Sequence, residues 1–182
     1  MNDTIVRTKV VPPRRRPDLY TRQRLVELLD ELMGNKLTIL VAPAGYGKTY
    51  ALIDFAHYTE LPVCWYSLDP LDRDPHRFFM HFIAAIAQRY PVFGRTAQAA
   101  LQNYSARQGS LDQLITVVVN ELYEHAPEDF LLIIDDYHLV AEDEDIGRFV
   151  SQFVQQADEN CHLLLASRGL LALPDMPLLV AR

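Results

Sequence analysis

The residues best suited to chemistry in this chain form one short glycine-containing stretch, APAGYGKT, at positions 42–49. It matches the phosphate-loop pattern G-x-x-x-x-G-K-[ST] at every position except the first, where the chain has Ala42. Glycines let the backbone curl so that successive N–H groups point at phosphate oxygens. Lys48 would supply a positive charge to the outer phosphates, and the Thr49 hydroxyl could ligate Mg²⁺. The pattern therefore predicts a phosphate-binding loop, the alternative being a chance glycine-rich turn.

Ala42 weakens the match only slightly, because we expect it to end a strand and to lie outside the tight turn from Gly45 to Gly47. A helix that begins at Lys48 would add the positive end of its dipole to the site. We expect the loop and the first helical residues to contact the bound nucleotide. These candidates are Pro43, Ala44, Gly45, Tyr46, Gly47, Lys48, Thr49 and Tyr50.

A second group of candidate residues follows the apolar run at 130–134, where Asp135 and Asp136 stand side by side. In a parallel sheet, ligands bind outside the carboxyl ends of the strands, which is also the edge of the phosphate loop. Asp135 could hold Mg²⁺ through its water shell, and Asp136 could orient or deprotonate an attacking water. The alternative is that the pair caps the segment that follows.

Arg168 ends another apolar run, after Ser167. It could read the terminal phosphate or stabilise charge in the transition state, provided that its strand lies between the first and the third. The alternative is a solvated arginine at a strand end.

His138 could form a hydrogen bond near the nucleotide or be a surface or structural residue. The six histidines show no metal-ligand spacing, and the arginines at 14–16 are weak evidence for nucleic-acid contact.

Strands and helices alternate around these residues. Short apolar runs predict strands at 37–42, 63–68, 130–135 and 162–167, with a fifth beginning at 178–180. Apolar residues at helical spacing predict helices that start near 20–21, 48, 75, 110 and 146, whereas 91–109 is expected to be a loop with a short helix. This alternation implies a parallel sheet with helices on both faces.

The composition is that of one globular domain: 182 residues, 49% hydrophobic and 23% charged. A net charge of −7 argues against nucleic-acid binding over the whole surface, although nine of the 17 Lys and Arg lie in 7–48. Cys64 and Cys161 are flanked by apolar residues and are expected to be buried thiols. No run approaches the roughly 18 apolar residues of a membrane span, so we expect no membrane contact and a cytoplasmic location.

Several short motifs occur together in one order: TKV at 8–10, PP at 12–13, RQRL at 22–25, AGYGKT at 44–49, WYSLD at 65–69, DDYH at 135–138 and SR at 167–168. In this combination the chain resembles the nucleotide-binding domain of MalT-like regulators of the LuxR family, a branch of the STAND signalling ATPases. The resemblance covers nearly the whole chain.

The resemblance implies an AAA-like switch that is ADP-bound and monomeric at rest, and ATP-bound and self-associating when an inducer arrives. ATP or ADP and Mg²⁺ are the implied cofactors. Carried onto this sequence, the family's positions are Lys48 and Thr49 in the phosphate loop, Asp135 for Mg²⁺, Asp136 for hydrolysis, Arg168 for sensing the nucleotide state and Arg22 near the adenine.

The chain departs from the family in extent. Family members continue into a winged-helix domain, a helical superhelix that senses inducer and often a DNA-binding domain, and nothing here corresponds to these. We therefore expect no DNA-binding element in these residues. Self-association and the regulatory domains of a parent chain are the expected partners.

We predict an α/β P-loop NTPase domain, a three-layer sandwich with a mostly parallel sheet in the order 5-1-4-3-2. Residues 1–36 would be an arm and first helix flanking the nucleotide site, and 37–182 an ATPase core that is incomplete at its fifth strand. The predicted function is ATP binding with slow hydrolysis as a signalling switch. Two alternatives stay open: a small-molecule or nucleotide kinase, for which no acceptor site or arginine-rich lid is evident, and a scaffold that binds nucleotide without hydrolysis.

Overall fold

The computed structural model describes residues 4–16, 21–171 and 173–174. Within this part of the chain the four strands form one all-parallel sheet in the order β1-β4-β3-β2, as predicted for four of the five strands. The fifth strand predicted at 178–180 lies outside the described residues. The strands are β1 (Leu37–Val41), β2 (Val63–Ser67), β3 (Phe130–Asp135) and β4 (Cys161–Ser167).

Helices cover both faces of the sheet. The helices in the described part of the chain are α1 (Gln23–Glu31), α2 (Lys48–Tyr58), α3 (Pro75–Arg89), α4 (Arg95–Ser105), α5 (Leu111–His125) and α6 (Glu144–Gln156), of which α4 packs on α3 and α5. Short 3-10 helices lie at Arg7–Lys9, Leu32–Gly34, Pro70–Arg73 and Tyr137–Leu139.

Two predictions about the helices were wrong. The first helix begins at Gln23 rather than near 20–21, because Arg22 has a non-helical backbone. The segment 91–109, predicted as a loop with a short helix, contains the 11-residue helix α4. Its apolar positions are few, but Ala97 and Leu101 lie four residues apart and are both buried in the core. Packing of one narrow stripe therefore stabilises a helix that the sequence pattern marks only weakly.

The strands are buried on both sides, which explains their continuous apolar runs. Along β3, Leu132 and Ile134 pack in the core shared with α3, α5 and α6, whereas Leu131 and Ile133 pack with α1 and α2. Successive strand residues point to opposite faces, so each face receives alternate side chains. This three-layer arrangement is typical of parallel sheets.

The strand register brings the carboxyl ends of the strands to one edge. Val41 of β1 pairs with Ser167 of β4, and Ser67 of β2 pairs with Asp135 of β3. The loops that follow these residues therefore lie side by side, and they contain most of the candidate residues. In the described part of the chain, no helix is long and apolar enough to cross a membrane.

The prediction of buried thiols is confirmed. Cys64 and Cys161 are both buried and unbridged. Burial raises the pKa of the Cys64 thiol to about 12, with a smaller opposing effect of Arg89. Both cysteines therefore act as small apolar side chains in the core.

Candidate functional site

The loop between β1 and α2 has the backbone that its glycines allow. Gly45 has a φ of +83° and Gly47 a φ of +78°, both in the left-handed region that other residues rarely adopt. Helix α2 begins immediately afterwards, at Lys48. The first N–H groups of a helix have no partners within it, so those of α2 are available to an anion bound at its start.

Ala42 explains why the motif tolerates a residue other than glycine at its first position. Its N–H donates to the Ser167 carbonyl at 3.2 Å, so the sheet ladder between β1 and β4 continues through this residue. Ala42 also does not have a positive φ, unlike Gly45 and Gly47. Strand β1 ends at Val41, one residue earlier than expected, but Ala42 lies outside the tight turn as predicted.

The Lys48 side chain lies folded into the loop. Its Nζ donates to the carbonyl oxygens of Ala42 and Pro43, at 2.6 and 3.2 Å, and the residue is only 9% exposed. The ammonium group is thus held by neutral acceptors at the point where the loop curls. This position is available to a negatively charged group bound in the loop.

Thr49 and Asp135, the two candidate metal ligands, meet across the site. The Thr49 hydroxyl donates to Asp135 Oδ2 at 2.7 Å, although the two residues are 86 positions apart in the sequence. Both are oxygen donors of the kind that Mg²⁺ prefers. The sheet order produces the contact, because the loop after β1 and the end of β3 lie on either side of β4.

Asp135 is a strongly desolvated carboxyl group. It is 3% exposed, and burial raises its pKa; the nearby charge of Asp136 raises it further, while the Thr49 hydroxyl, the Asp136 N–H and Lys48 oppose this effect. The ionised form is therefore costly without a cation. A divalent ion beside Asp135 would offset that cost.

Asp136 adopts an unusual backbone conformation. Its φ of +60° is in the left-handed region, and its N–H donates to Asp135 Oδ1 at 2.9 Å. The residue precedes the 3-10 helix Tyr137–Leu139, yet its side chain makes no capping hydrogen bond to that helix. Asp136 thus occupies the N-cap position of this helix, but the alternative that its carboxylate caps the segment is wrong.

The side chain of His138, in the following turn, lies close to that carboxylate. His138 Nδ1 lies 3.7 Å from Asp136 Oδ1, and the side chain is 19% exposed. Burial lowers the pKa of His138; Asp136 raises it, whereas Arg168 and Lys48 lower it further. Both ring nitrogens are buried. Of the alternatives given for His138, the surface position is therefore wrong, whereas a structural role and a hydrogen bond near the nucleotide both stay predictions.

The remaining candidates lie around the mouth of the loop. Arg22 is exposed and donates from Nη1 to the Tyr46 carbonyl at 3.3 Å, so the start of α1 contacts the phosphate loop. Tyr46 and Tyr50 are 65% and 42% exposed. Arg168 follows β4 and is exposed. The predicted sensor role of Arg168 required its strand to lie between the first and the third strand. This condition is met, because β4 lies between β1 and β3.

A buried charged cluster at the other end of the same edge has no role in the sequence predictions. We call it the anchor cluster: Lys9, Asp69, Asp72 and Arg77. Lys9 Nζ pairs with Asp72 and, at 3.0 Å, with Asp69, while Arg77 Nε pairs with Asp72 at 3.2 Å. The motifs TKV and WYSLD contain two of its members. Nothing in their spacing indicates that residues 60 positions apart form an ion pair.

A cavity of about 570 Å³ lies away from this chemistry. Asp129 and His162, which lie at the amino ends of β3 and β4, contribute to its lining. It is therefore at the edge opposite the phosphate loop. We place the functional site by the convergence of Lys48, Thr49 and Asp135, not by the size of this cavity.

No protein-family model matches the chain. Among curated proteins, the HTH-type transcriptional regulator MalT of Yersinia enterocolitica is 31% identical over 166 residues, and that of Serratia proteamaculans is 32% identical over 167 residues. Each alignment covers 91% of this chain and 18% of the relative. A solved Walker-type ATPase of Pyrococcus abyssi matches with a TM-score of 0.50 and 17% identity, covering 87% of this chain and 47% of that one. At 17% identity, this similarity is evidence for a shared fold only.

The parallel sheet, the loop after β1 and the Thr49–Asp135 contact define a P-loop domain of the ATPase type. The similarity to the curated regulators indicates which group of P-loop domains the chain resembles. The chain is a MalT-like ATPase-type domain, as the motifs predicted. It spans 18% of the length of those relatives.

Proposed function

We propose that this domain binds ATP and ADP together with Mg²⁺ in the loop after β1 and hydrolyses ATP slowly. The two nucleotide states would then act as a switch of the STAND type. The observation that carries the proposal is the 2.7 Å hydrogen bond from Thr49 to Asp135. It brings two oxygen ligands from distant parts of the sequence together beside the loop that contains Lys48.

The loop would bind the phosphates through its backbone and Lys48. Nζ is held only by the carbonyl oxygens of Ala42 and Pro43 in its described contacts. Phosphate oxygens are stronger acceptors for an ammonium group, because the bond is then between two charges. We expect Lys48 to exchange these carbonyl contacts for the outer phosphates, with the first N–H groups of α2 adding further donors.

Thr49 and Asp135 would hold Mg²⁺, and the ion would neutralise charge on the phosphates when bound. The chemistry of both groups fits a hard cation. The raised pKa of Asp135 also fits, since a buried carboxylate without a cation is held in an unfavourable environment. Asp136 would orient the attacking water, and Arg168 would respond to the terminal phosphate.

The segment before β1 would form one side of the nucleotide site. Arg22 contacts the loop at Tyr46, and Arg15 Nε pairs with Asp54 of α2 at 2.7 Å. Lys9 holds the start of the same segment at the anchor cluster. Residues 4–16 therefore run from the carboxyl end of β2 to α2. This path supports the assignment of 1–36 as an arm and first helix that flank an ATPase core at 37–182.

We further propose that the domain acts within a bacterial transcription regulator in the cytoplasm, as its likeness to the MalT regulators suggests. Self-association or contact with other domains of a parent chain would transmit the nucleotide state. These residues would contain no DNA-binding element. For switching to occur, the terminal phosphate must stabilise one conformation more than the other.

The test is a comparison of nucleotide binding and turnover in three variants. Lys48→Ala should weaken binding of Mg²⁺-ATP about 100-fold or more, since it removes the charge at the outer phosphates. Lys36→Ala is the matched control, because Lys36 also donates to a backbone carbonyl but does so toward Ala157, at the amino ends of the strands. Asp136→Asn should bind ATP normally and hydrolyse it at least tenfold more slowly.

Other outcomes would favour the alternatives. Unchanged turnover in Asp136→Asn would remove its hydrolytic role. Binding without any release of phosphate would favour a scaffold. Transfer of phosphate to an added acceptor, with little release to water, would favour a kinase. Equal ATP affinity in Lys48→Ala and the wild type would contradict the phosphate site itself.

A further inference from the structure

His81 is a fully buried histidine that connects the arm at 4–16 with the body of the domain. It lies on α3 and is 0% exposed. Its Nε2 accepts a hydrogen bond from the Val6 N–H of the arm at 3.2 Å, across 75 positions of sequence. Its Nδ1 lies 3.0 Å from the Arg77 carbonyl oxygen, one turn earlier in α3. Both ring nitrogens therefore have a backbone partner, and one of these partners belongs to the arm.

These two partners determine the protonation state of the ring. A backbone N–H only donates, so Nε2 must accept; a carbonyl oxygen only accepts, so Nδ1 must donate. The neutral ring with its hydrogen on Nδ1 is the one form that satisfies both contacts. In the protonated ring both nitrogens carry a hydrogen, and Nε2 would then face the Val6 N–H with donor against donor. The contact with the arm is therefore compatible only with a neutral His81.

The groups packed around the ring favour the neutral form. Tyr66 of β2 stacks on it, with ring centroids 5.8 Å apart and an angle of 12° between the planes. The charged groups that act on the ring are Lys9 of the arm, Asp72 of the 3-10 helix at 70–73 and Arg77 of α3. Burial lowers the pKa of His81, and Lys9 and Arg77 lower it as well, whereas the hydrogen bond to the Arg77 carbonyl and the charge of Asp72 raise it.

The other polar attachment of the arm, the ion pair of Lys9 with Asp69, lacks this sensitivity to mild acid. Burial raises the pKa of Asp69, but the hydrogen bonds from Lys9 and the Leu71 N–H, with the charges of Lys9 and Arg77, lower it below its ordinary value. Asp69 therefore stays ionised in mildly acidic solution, where an accessible histidine becomes protonated.

We propose that His81 is a pH-sensitive attachment point for the arm, at which the neutral ring holds Val6 on the domain and protonation of the ring detaches it. The inference does not depend on nucleotide binding. In the detached form the ring is accessible and its pKa is higher than in the attached form. The attached form is therefore favoured above the pKa of the detached form and loses stability as the pH falls through it. A positive charge on the ring would also repel Lys9, which weakens the adjoining contact of the arm.

The experiment follows the ring and the arm of the wild-type chain by NMR between pH 7.5 and 5.5. At pH 7.5 the nitrogen shifts of His81 should show the hydrogen on Nδ1. The protection of the Val6 amide against hydrogen exchange, corrected for the intrinsic rate, should fall about tenfold over this range. That magnitude follows because pH 5.5 is about one unit below the pKa of an accessible histidine, and each such unit shifts the equilibrium about tenfold. The amide of Ile133, in the buried strand β3, should keep its protection.

His81→Gln separates titration of the ring from other effects of acid. The amide oxygen of glutamine can accept from the Val6 N–H but does not titrate, so protection of Val6 should change less than about twofold between the two pH values. The matched control is His57→Gln, since His57 is an exposed histidine at the end of α2. This control removes a histidine away from the arm and should keep the tenfold response of the wild type.

Three results would overturn the proposal. One is a neutral His81 ring with its hydrogen on Nε2, because the Val6 contact would then lack an acceptor. Another is an equal response of Val6 to pH in His81→Gln and the wild type. The third is a parallel loss of protection at Val6 and Ile133 in the wild type, which would show acid unfolding of the whole domain. If His81→Gln is too unstable to measure, the ring tautomer and the comparison of Val6 with Ile133 in the wild type still decide.

Discussion

Two buried polar clusters lie at the carboxyl edge of the sheet, and they differ in how completely their charges are paired. In the anchor cluster, Asp72 is fully buried and accepts from Lys9, Arg77 and the Asp69 N–H. In the other, which we call the phosphate cluster, the charges meet neutral partners. Its members are Lys48, Thr49, Asp135, Asp136 and His138.

We infer that the difference separates a structural role for the anchor cluster from the proposed binding role of the phosphate cluster. A buried charge that is paired and hydrogen-bonded contributes to holding the fold in one arrangement. The charges of Lys48 and Asp135 are less completely neutralised than those of the anchor cluster. Lys48 donates to two backbone carbonyls, and Asp135 accepts from the Thr49 hydroxyl. These groups gain more from a ligand with complementary charge, namely phosphate for Lys48 and a cation for Asp135. The comparison therefore predicts that equivalent mutations have opposite effects on stability in the two clusters.

The largest expected effect is that of Lys9→Met in the anchor cluster. The substitution keeps the length of the side chain but removes the charge that faces Asp72, and breaking a buried pair of this kind costs about 3 kcal/mol. Urea denaturation should show this loss in the free energy of unfolding. Arg148→Met is the matched control, because Arg148 pairs with Asp112 at the surface, at 2.9 Å, and its loss should have no measurable effect.

A Lys9→Met variant as stable as Arg148→Met would contradict the structural role of the anchor cluster. Only the predictions for the phosphate cluster would then still test the comparison. If only the segment 4–16 detaches, we expect increased proteolysis at that segment with little change in the unfolding of the core. Limited proteolysis followed by mass spectrometry would separate these results.

A smaller effect of opposite sign is expected for Asp135→Asn in the phosphate cluster. The folded-state pKa of Asp135 is raised by burial, so its ionised form destabilises the folded state above that pKa. Asparagine removes this cost, and the variant should be as stable as the wild type or up to about 1 kcal/mol more stable at neutral pH. Its affinity for Mg²⁺-ATP should fall at the same time, because the proposed metal ligand is lost.

The pH dependence provides the control for this prediction. As the pH falls from neutral through the raised pKa, Asp135 binds its proton earlier in the folded than in the unfolded state, and the wild type gains stability relative to Asp135→Asn. The stability difference between the two proteins should therefore shrink toward acid pH. A difference that widens as the pH falls would mean that the ionised carboxylate is stabilised in the fold, contrary to the comparison.

The two clusters also differ in how far the sequence could predict them. The phosphate cluster was predicted because its loop has local residue types and spacing, and because a strand that ends in Asp135 brings its carboxylate to the same edge. The strand order was likewise predicted from alternation and resemblance. The anchor cluster depends on pairing between residues 60 or more positions apart, which no local pattern encodes. The burial of His138 and the left-handed backbone of Asp136 also arise from the tertiary packing around them.

The smallest effect is expected for Ala42→Gly. This variant tests whether ATP affinity depends on the backbone shape of the loop or on the first residue of the motif. Ala42→Gly restores the complete motif, yet Ala42 already continues the sheet ladder to Ser167. We expect ATP affinity to change by less than about twofold, with a stability loss of about 0.5–1 kcal/mol from the added chain entropy of glycine in extended backbone. Isothermal titration and urea denaturation measure the two effects.

Gly47→Ala is the comparison that makes the result of Ala42→Gly informative. Gly47 has a φ of +78°, and a side chain there would be strained and would point toward Arg22, whose Nη2 lies 3.8 Å from the position of the added Cβ. We expect a loss of ATP affinity of about tenfold or more, because the loop must change shape at the start of α2. If Ala42→Gly instead raised affinity tenfold while Gly47→Ala had no effect, the first motif position would control the loop. The curl at Gly45 and Gly47 could then not be the feature that keeps Lys48 in position for phosphate.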